Sequence, residues 1–116
     1  MNYQTATELA QIGNHSDLQT GAVSAPIYLS TTFSHPALGQ STGYNYTRTK
    51  NPTRTILEEA LANLEAGSQA IVTSSGMSAI QLVFNYFPAQ SEFLVSRDLY
   101  GGSYRYFQEL ERQTAA

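Results

Sequence analysis

From Asn51 onward the apolar positions alternate between helical and strand-like spacing, while residues 14–50 sustain neither period. Asn51 followed by Pro52 fits an N-cap residue and a first helical position, where the missing proline N–H costs nothing. The helix expected there runs to about Ala66. Ile56, Leu57, Ala60, Leu61 and Leu64 form its buried face, Glu58, Glu59 and Glu65 its wet side, and Gly67 its left-handed stop. Ile71-Val72-Thr73 is a β-branched run. Beyond it two serines and Gly76 lead into Met77, Ala79, Ile80, Leu82, Val83, Phe84 and Phe87 at helical spacing, ended by Pro88. Residues 92–96 read as a second strand, Tyr100-Gly101-Gly102 as a turn, and Ser103 to about Arg112 as a further helix with Tyr104, Phe107 and Leu110 on one side. Helix, strand, helix, strand, helix in that order predicts an α/β fold: a parallel sheet with flanking helices, right-handed crossovers, and ligands beyond the carboxyl ends of the strands.

The first fifty residues behave differently. A short helix is expected over residues 3–12, with Thr5-Ala6-Thr7-Glu8 as a capping box, Leu9 and Ile12 as a thin apolar side and Gly13 as its close. Residues 14–50 are rich in Ser, Thr, Gly, Asn and Gln, with apolar islands only at 23–29 and at Phe33. Such a stretch is an arm. Long irregular segments are functional or packed on something else, so a neighbouring subunit is its expected partner. The division expected is an inter-subunit arm over residues 1–50 and the start of a ligand-binding domain over residues 51–116.

Composition narrows the classes. One hundred and sixteen residues, 41% of them hydrophobic, suffice for one modest domain. A net charge of −3 with six basic residues and no basic cluster argues against a nucleic-acid partner. The absence of cysteine excludes disulfides, thiolate catalysis and Cys-ligated zinc. The first residues lack a basic and an apolar leader region, and the apolar stretch over 79–87 is too short for a bilayer, so a cytoplasmic protein without a membrane partner is expected. His15 and His35 have no partner at metal-ligand or triad spacing and read as exposed or locally hydrogen-bonded, so no metal is expected.

The candidate chemistry sits where strands give way to helices. The unpaired N–H groups of a first helical turn attract anions, and the small residues before Gly76 leave room for one, with Ser75 and Ser78 as added hydroxyl donors. The same residues also suit an ordinary strand-to-helix turn, since the stretch is neither a Walker loop nor a G-x-G-x-x-G fingerprint. Residues 74–77 and 97–102 both fall at the ligand-bearing edge. Tyr100 therefore reads either as a ring stacked on a planar ligand or as a tyrosine capping the sheet.

Four motifs in order then stand out: Tyr46-x-Arg48, Asn51-Pro52-Thr53-Arg54, Ser75-Gly76-Met77-Ser78-Ala79, and Asp98 to Arg105, which reads Asp-Leu-Tyr-Gly-Gly-Ser-Tyr-Arg. With them the chain resembles the Cys/Met-metabolism family of pyridoxal-phosphate enzymes, nearest its cystathionine synthase and lyase branch. The resemblance implies the large domain of a fold-type I pyridoxal-phosphate-dependent transferase, with pyridoxal 5'-phosphate as cofactor. It implies that Gly76 and Met77, helped by Ser75, cradle the cofactor phosphate. Tyr46 and Arg48 would reach into a neighbouring subunit's site to bind the same phosphate. Tyr100 would stack on the pyridine ring and serve as the catalytic residue in proton transfer. Arg54 and Arg105 read as solvated helix charges.

Two departures from the family pattern matter. The lysine that carries the cofactor in this family and the aspartate facing the pyridine nitrogen lie beyond residue 116 of its pattern, and Lys50, the sole lysine, reads as an exposed loop residue. The expectation is the N-terminal part of a longer enzyme, inactive as these 116 residues alone. Asn45 stands where some relatives carry an acidic residue, which bears on the substrate's distal group. The reaction implied is γ-replacement on an activated homoserine by a dimer or tetramer that shares its active sites. The alternatives are cystathionine β- or γ-lyase chemistry, O-acetylhomoserine sulfhydrylase chemistry, or a non-catalytic phosphate-binding or assembly module.

Overall fold

A computed structural model describes residues 4–114. Among these residues four helices form, α1 (Thr5–Ala10), α2 (Pro52–Leu64), α3 (Gly76–Tyr86) and α4 (Gly101–Thr114). The backbone gathers into two compact units, one running to Val72 and the other from Thr73.

In the first unit α1 packs against α2. The helix is shorter than the sequence suggests, and residue 3 falls outside the described residues. Its N-cap is the extended Gln4, which makes no side-chain cap bond. Thr5 already lies inside the helix, so it cannot serve the expected capping box. Gly13 turns the chain at φ +71°, and a β-carbon there would lie 3.0 Å from Ile56 Cγ2 and 3.1 Å from Ala25 Cβ. Only glycine allows both the left-handed turn and that close approach to α2.

Asn51 caps α2 as expected: its Oδ1 accepts the Thr53 N–H at 2.8 Å, and Pro52 takes the first position. At the other end Ala66 N–H bonds to the Asn63 carbonyl at 3.2 Å and Gly67 N–H to the Ala62 carbonyl at 2.8 Å. This is a Schellman pair, and its left-handed residue is Ala66 at φ +51°, not Gly67. The helix ends one residue earlier than glycine placement suggests, so the strain falls on alanine. Of the expected buried face, Ile56, Ala60 and Leu64 are half-buried, while Leu57 and Leu61 remain 44% and 40% exposed. The six residues of α1 cover only part of that stripe.

The arm is not loose. Thr32 and Tyr46 form an antiparallel bridge, flanked by Phe33 N–H to the Asn45 carbonyl at 3.0 Å and Thr47 N–H to the Thr31 carbonyl at 2.9 Å. This short ribbon is fastened to the start of α2. Asn51 Nδ2 donates to the Tyr28 carbonyl at 3.0 Å and to Thr47 Oγ1 at 2.9 Å, Thr53 Oγ1 accepts the Tyr28 N–H at 2.9 Å, and Thr47 Oγ1 donates to the Ser30 carbonyl. Arg54, expected as a solvated charge, is half-buried and donates to the Thr47 and Thr49 carbonyls at 3.2 and 2.7 Å. Glu58, expected on the wet side, lies 3.6 Å from Arg54 Nε and accepts the Val72 N–H at 3.1 Å.

In the second unit α3 and α4 pack together. Phe84 meets Phe93 and Phe107 with ring centroids 4.5 and 4.6 Å apart, and Phe87 meets Phe93 at 5.2 Å. Phe87 is extended, as a residue before proline prefers, and α3 stops there. The glycines expected as a turn are instead the first two residues of α4. The Tyr100 carbonyl accepts from Ser103 N–H at 2.9 Å and Tyr104 N–H at 3.2 Å, so the helix starts directly after it.

The two expected strands, residues 71–73 and 92–96, run without a ladder among the described residues. A strand takes its hydrogen bonds from a neighbour, and Val72 spends its N–H on the Glu58 carboxylate instead.

Asn51 is 6% exposed and joins the α2 cap to the arm, so Asn51→Ala removes one cap bond and two donated bonds together. The expected cost is about 2–3 kcal/mol, from a cap and two partly buried hydrogen bonds. Hydrogen exchange should report it as faster exchange at the Tyr28, Phe33 and Thr47 amides; unchanged protection there would refute the fastening.

Candidate functional site

The residues singled out by sequence fall into two groups. Ser75, Gly76, Met77 and Tyr100 belong to the second unit, and Tyr46, Arg48 and Lys50 to the first.

Ser75 is the N-cap of α3, extended at φ −161° and ψ 160°, and its Oγ accepts the Ser78 N–H at 3.1 Å. Its carbonyl accepts the Ala79 N–H at 3.1 Å and the Thr73 hydroxyl at 2.9 Å. That leaves the N–H groups of Gly76 and Met77, the first two of the helix, without an intrahelical partner. No acidic residue occupies the first turn to compete for them. Beside them runs a row of hydroxyls, with Ser74 Oγ 3.4 Å from Ser78 Oγ and Ser78 Oγ 2.9 Å from Ser75 Oγ. Three hydroxyl protons serve two contacts, so one O–H is left to donate outward. A β-carbon on Gly76 would meet nothing within 4 Å, so the space above the turn is open. Two free N–H groups, one free O–H and the positive end of a helix make an anion-binding arrangement.

Tyr100 lies immediately before α4, its backbone held by the two bonds to its carbonyl and its side chain 73% exposed. The starts of α3 and α4 are tied together. Ser103, 4% exposed, donates its hydroxyl to Met77 Sδ at 3.7 Å, and the site for a β-carbon on Gly102 lies against both Met77 and the Tyr100 ring. Sequence reasoning missed this tie because Gly102 and Ser103 read as turn and helix start.

In the first unit Tyr46 and Arg48 share one turn, closed by Thr49 and Lys50 N–H groups donating to the Tyr46 carbonyl at 3.0 Å. Tyr46 is half-buried, and the exposed Arg48 guanidinium rests 4.9 Å from its ring centroid. That contact orients the cation and leaves its N–H fork open for an anion. Lys50 is exposed, with Nζ 5.3 Å from the Tyr44 ring centroid. His35 hydrogen-bonds Asn45 Oδ1 through Nε2 at 2.8 Å and the Gln40 carbonyl through Nδ1 at 2.7 Å. Both neighbours accept, so Asn45 first and Gln40 second raise its pKa above the usual histidine value. Asn45 is thus held beside Tyr46 by a local hydrogen bond. Among the described residues no group of three His, Asp or Glu side chains is placed to hold a metal, and no helix is long and apolar enough to cross a membrane.

The chain is 56% identical over 108 residues, 93% of its length, to the cystathionine gamma-synthase/O-acetylhomoserine (thiol)-lyase of Bacillus subtilis, covering 29% of that protein. It is 58% identical over 103 residues to the cystathionine gamma-synthase of Haemophilus influenzae, covering 89% of this chain and 28% of that protein. The chain therefore spans less than a third of the length of these relatives. Its fold matches the crystal structure of cystathionine gamma synthase from Xanthomonas oryzae pv. oryzae in complex with aminoacrylate and cysteine with a TM-score of 0.92 at 42% identity, over 98% of this chain and 30% of that one. Residues 6–116 match the Cys/Met metabolism PLP-dependent enzymes, and the chain belongs to that family.

Proposed function

We propose that the whole protein is a cytoplasmic pyridoxal-phosphate-dependent enzyme that exchanges the γ-substituent of an activated homoserine for a thiol, as a cystathionine γ-synthase does. The observation that carries this reading is the identity of more than half over about nine-tenths of the chain to relatives of that name. Elimination from cystathionine is the second reading, favoured by 47% identity over 93 residues to the cystathionine gamma-lyase of Bacillus subtilis.

The residues at the start of α3 fit the cofactor's phosphate. The Gly76 and Met77 N–H groups and the outward hydroxyl of the serine row bind its oxygens, and the open space at Gly76 admits it. Tyr46 and Arg48 bind the same phosphate from a neighbouring subunit, Arg48 by charge-assisted hydrogen bonds. The Tyr100 ring stacks on the cofactor's planar ring, and its Oη holds or moves a proton at the reacting amino acid. Lys50 stays an arm residue. When bound, the cofactor supplies the electron sink that stabilises negative charge on the substrate carbon. In this assignment residues 1–50 are the inter-subunit arm of a dimer or tetramer, and residues 51–116 begin the cofactor domain, with 71–73 and 92–96 as parallel strands.

Incubating the whole protein with pyridoxal phosphate, an O-acylhomoserine and cysteine is expected to give cystathionine by mass spectrometry. Keto acid and ammonia from cystathionine alone would favour elimination, and neither product from cofactor-loaded protein would leave a binding module. The β-carbon of Gly76→Val meets nothing within 4 Å and its branched side chain fills the space above the turn, so in the folded variant cofactor affinity should fall about tenfold or more, the scale of a lost charged hydrogen bond. An unchanged equilibrium titration would remove the phosphate assignment. If the arm works in trans, mixing inactive Arg48→Ala subunits with inactive subunits of the whole protein lacking the cofactor lysine restores one intact site per hybrid pair; verified hybrids without activity would place Arg48 outside the neighbour's site.

A further inference from the structure

The two glycines that open α4 are not equivalent. A β-carbon at Gly101 would meet nothing within 4 Å, whereas one at Gly102 would lie 2.5 Å from Tyr100 Cε1, 3.1 Å from Tyr100 Cδ1 and 3.3 Å from Met77 Sδ. Neither residue has a positive φ, so the backbone conformation does not demand glycine at either place. Glycine is also the poorest helix former after proline. Space is what Gly102 supplies.

The occupant of that space is the Tyr100 ring. Its backbone is fixed through the carbonyl that accepts Ser103 and Tyr104 N–H groups, but its side chain is 73% exposed, and among the described residues its hydroxyl makes no hydrogen bond that would aim it. The contact the structure gives it is with the surface beneath it. That surface is Gly102, flanked by Met77, whose sulfur is itself held by the buried Ser103 hydroxyl at 3.7 Å. The ring lies back over Gly102 in the first turn of α4, where Met77 Sδ also approaches.

We infer that Gly102 is a positioning residue for Tyr100: its missing side chain lets the ring fold back over the start of α4 beside Met77, in one orientation before any ligand arrives. Any side chain at 102 forces the ring outward. The inference rests on the proposed stacking role of Tyr100, and it adds the residue through which that role is prepared.

The test compares Gly102→Ala with Gly101→Ala in the whole protein. Both variants should keep or raise the melting temperature, since alanine favours the helix. A crystal structure of cofactor-free Gly102→Ala should show the Tyr100 ring in a different χ1 rotamer, with the ring unmoved in Gly101→Ala. Pyridoxal-phosphate Kd by equilibrium dialysis should rise about fivefold to tenfold in Gly102→Ala, the scale of one aromatic contact, and less than about twofold in Gly101→Ala. In a Tyr100→Ala background, adding Gly102→Ala should change Kd by less than about twofold, because the residue it acts through is gone. An unmoved ring in Gly102→Ala overturns the inference, and so does an undiminished Gly102→Ala effect in the Tyr100→Ala background, which would route it through Met77. If Tyr100→Ala alone leaves Kd unchanged, the stacking role falls, and the ring position in the cofactor-free structure still decides whether Gly102 positions Tyr100.

Discussion

A helix starts with N–H groups that its own carbonyls cannot reach, and the way each start is satisfied organises this chain. At α2 the chain answers internally: Asn51 accepts the Thr53 N–H, and proline removes the donor at the first position. At α3 the answer is partial. Ser75 takes the Ser78 N–H and leaves those of Gly76 and Met77 facing open space. At α4 the Tyr100 carbonyl takes the Ser103 and Tyr104 N–H groups, which fixes the backbone of an exposed aromatic residue. One start is closed and holds the arm, one is open with room beside its N–H groups, and one presents a ring.

The arm follows from the closed start. Its sequence is too polar to build a core, and its order comes from side chains that bridge it to α2. Asn51, Thr53 and Arg54 lie within four residues of one another in sequence, and each reaches a backbone group or hydroxyl between Tyr28 and Thr49. Tyr46 and Arg48 are therefore carried by a ribbon pinned at its base. Such a base lowers the conformational entropy that the ribbon would lose on engaging anything beyond its own core.

What could be read from the sequence was what rests on neighbouring residues. Asn51-Pro52 gave the start of α2, Ser75-Gly76 that of α3, and Phe87-Pro88 its end, because caps and breakers act within a few positions. The four motifs gave the family for a similar reason, being short and ordered. What escaped depends on distant or absent partners. Residues 71–73 and 92–96 have strand-like composition but no neighbour to pair with among the described residues. Arg54 looked like a helix charge because the carbonyls it meets belong to a segment without a periodic signal. Ala66 took the left-handed position one residue before the available glycine, a choice set by where the last full turn of α2 closed. Gly102 was invisible as a spacer because its meaning lies in the tyrosine two residues before it and in a methionine on another helix.

The row of three serines at the start of α3 has one more consequence. Ser74, Ser78 and Ser75 are linked by contacts in which either oxygen can donate, so the row can be polarised toward one end or the other. Reversing it takes only hydroxyl rotations and moves no heavy atom. The turn can thus offer an extra donor to a fully charged guest, or an acceptor to one that still carries a proton, without rebuilding itself. For a guest bound there, the backbone N–H groups would set its place, and the soft row of protons beside them would tolerate a change in its charge.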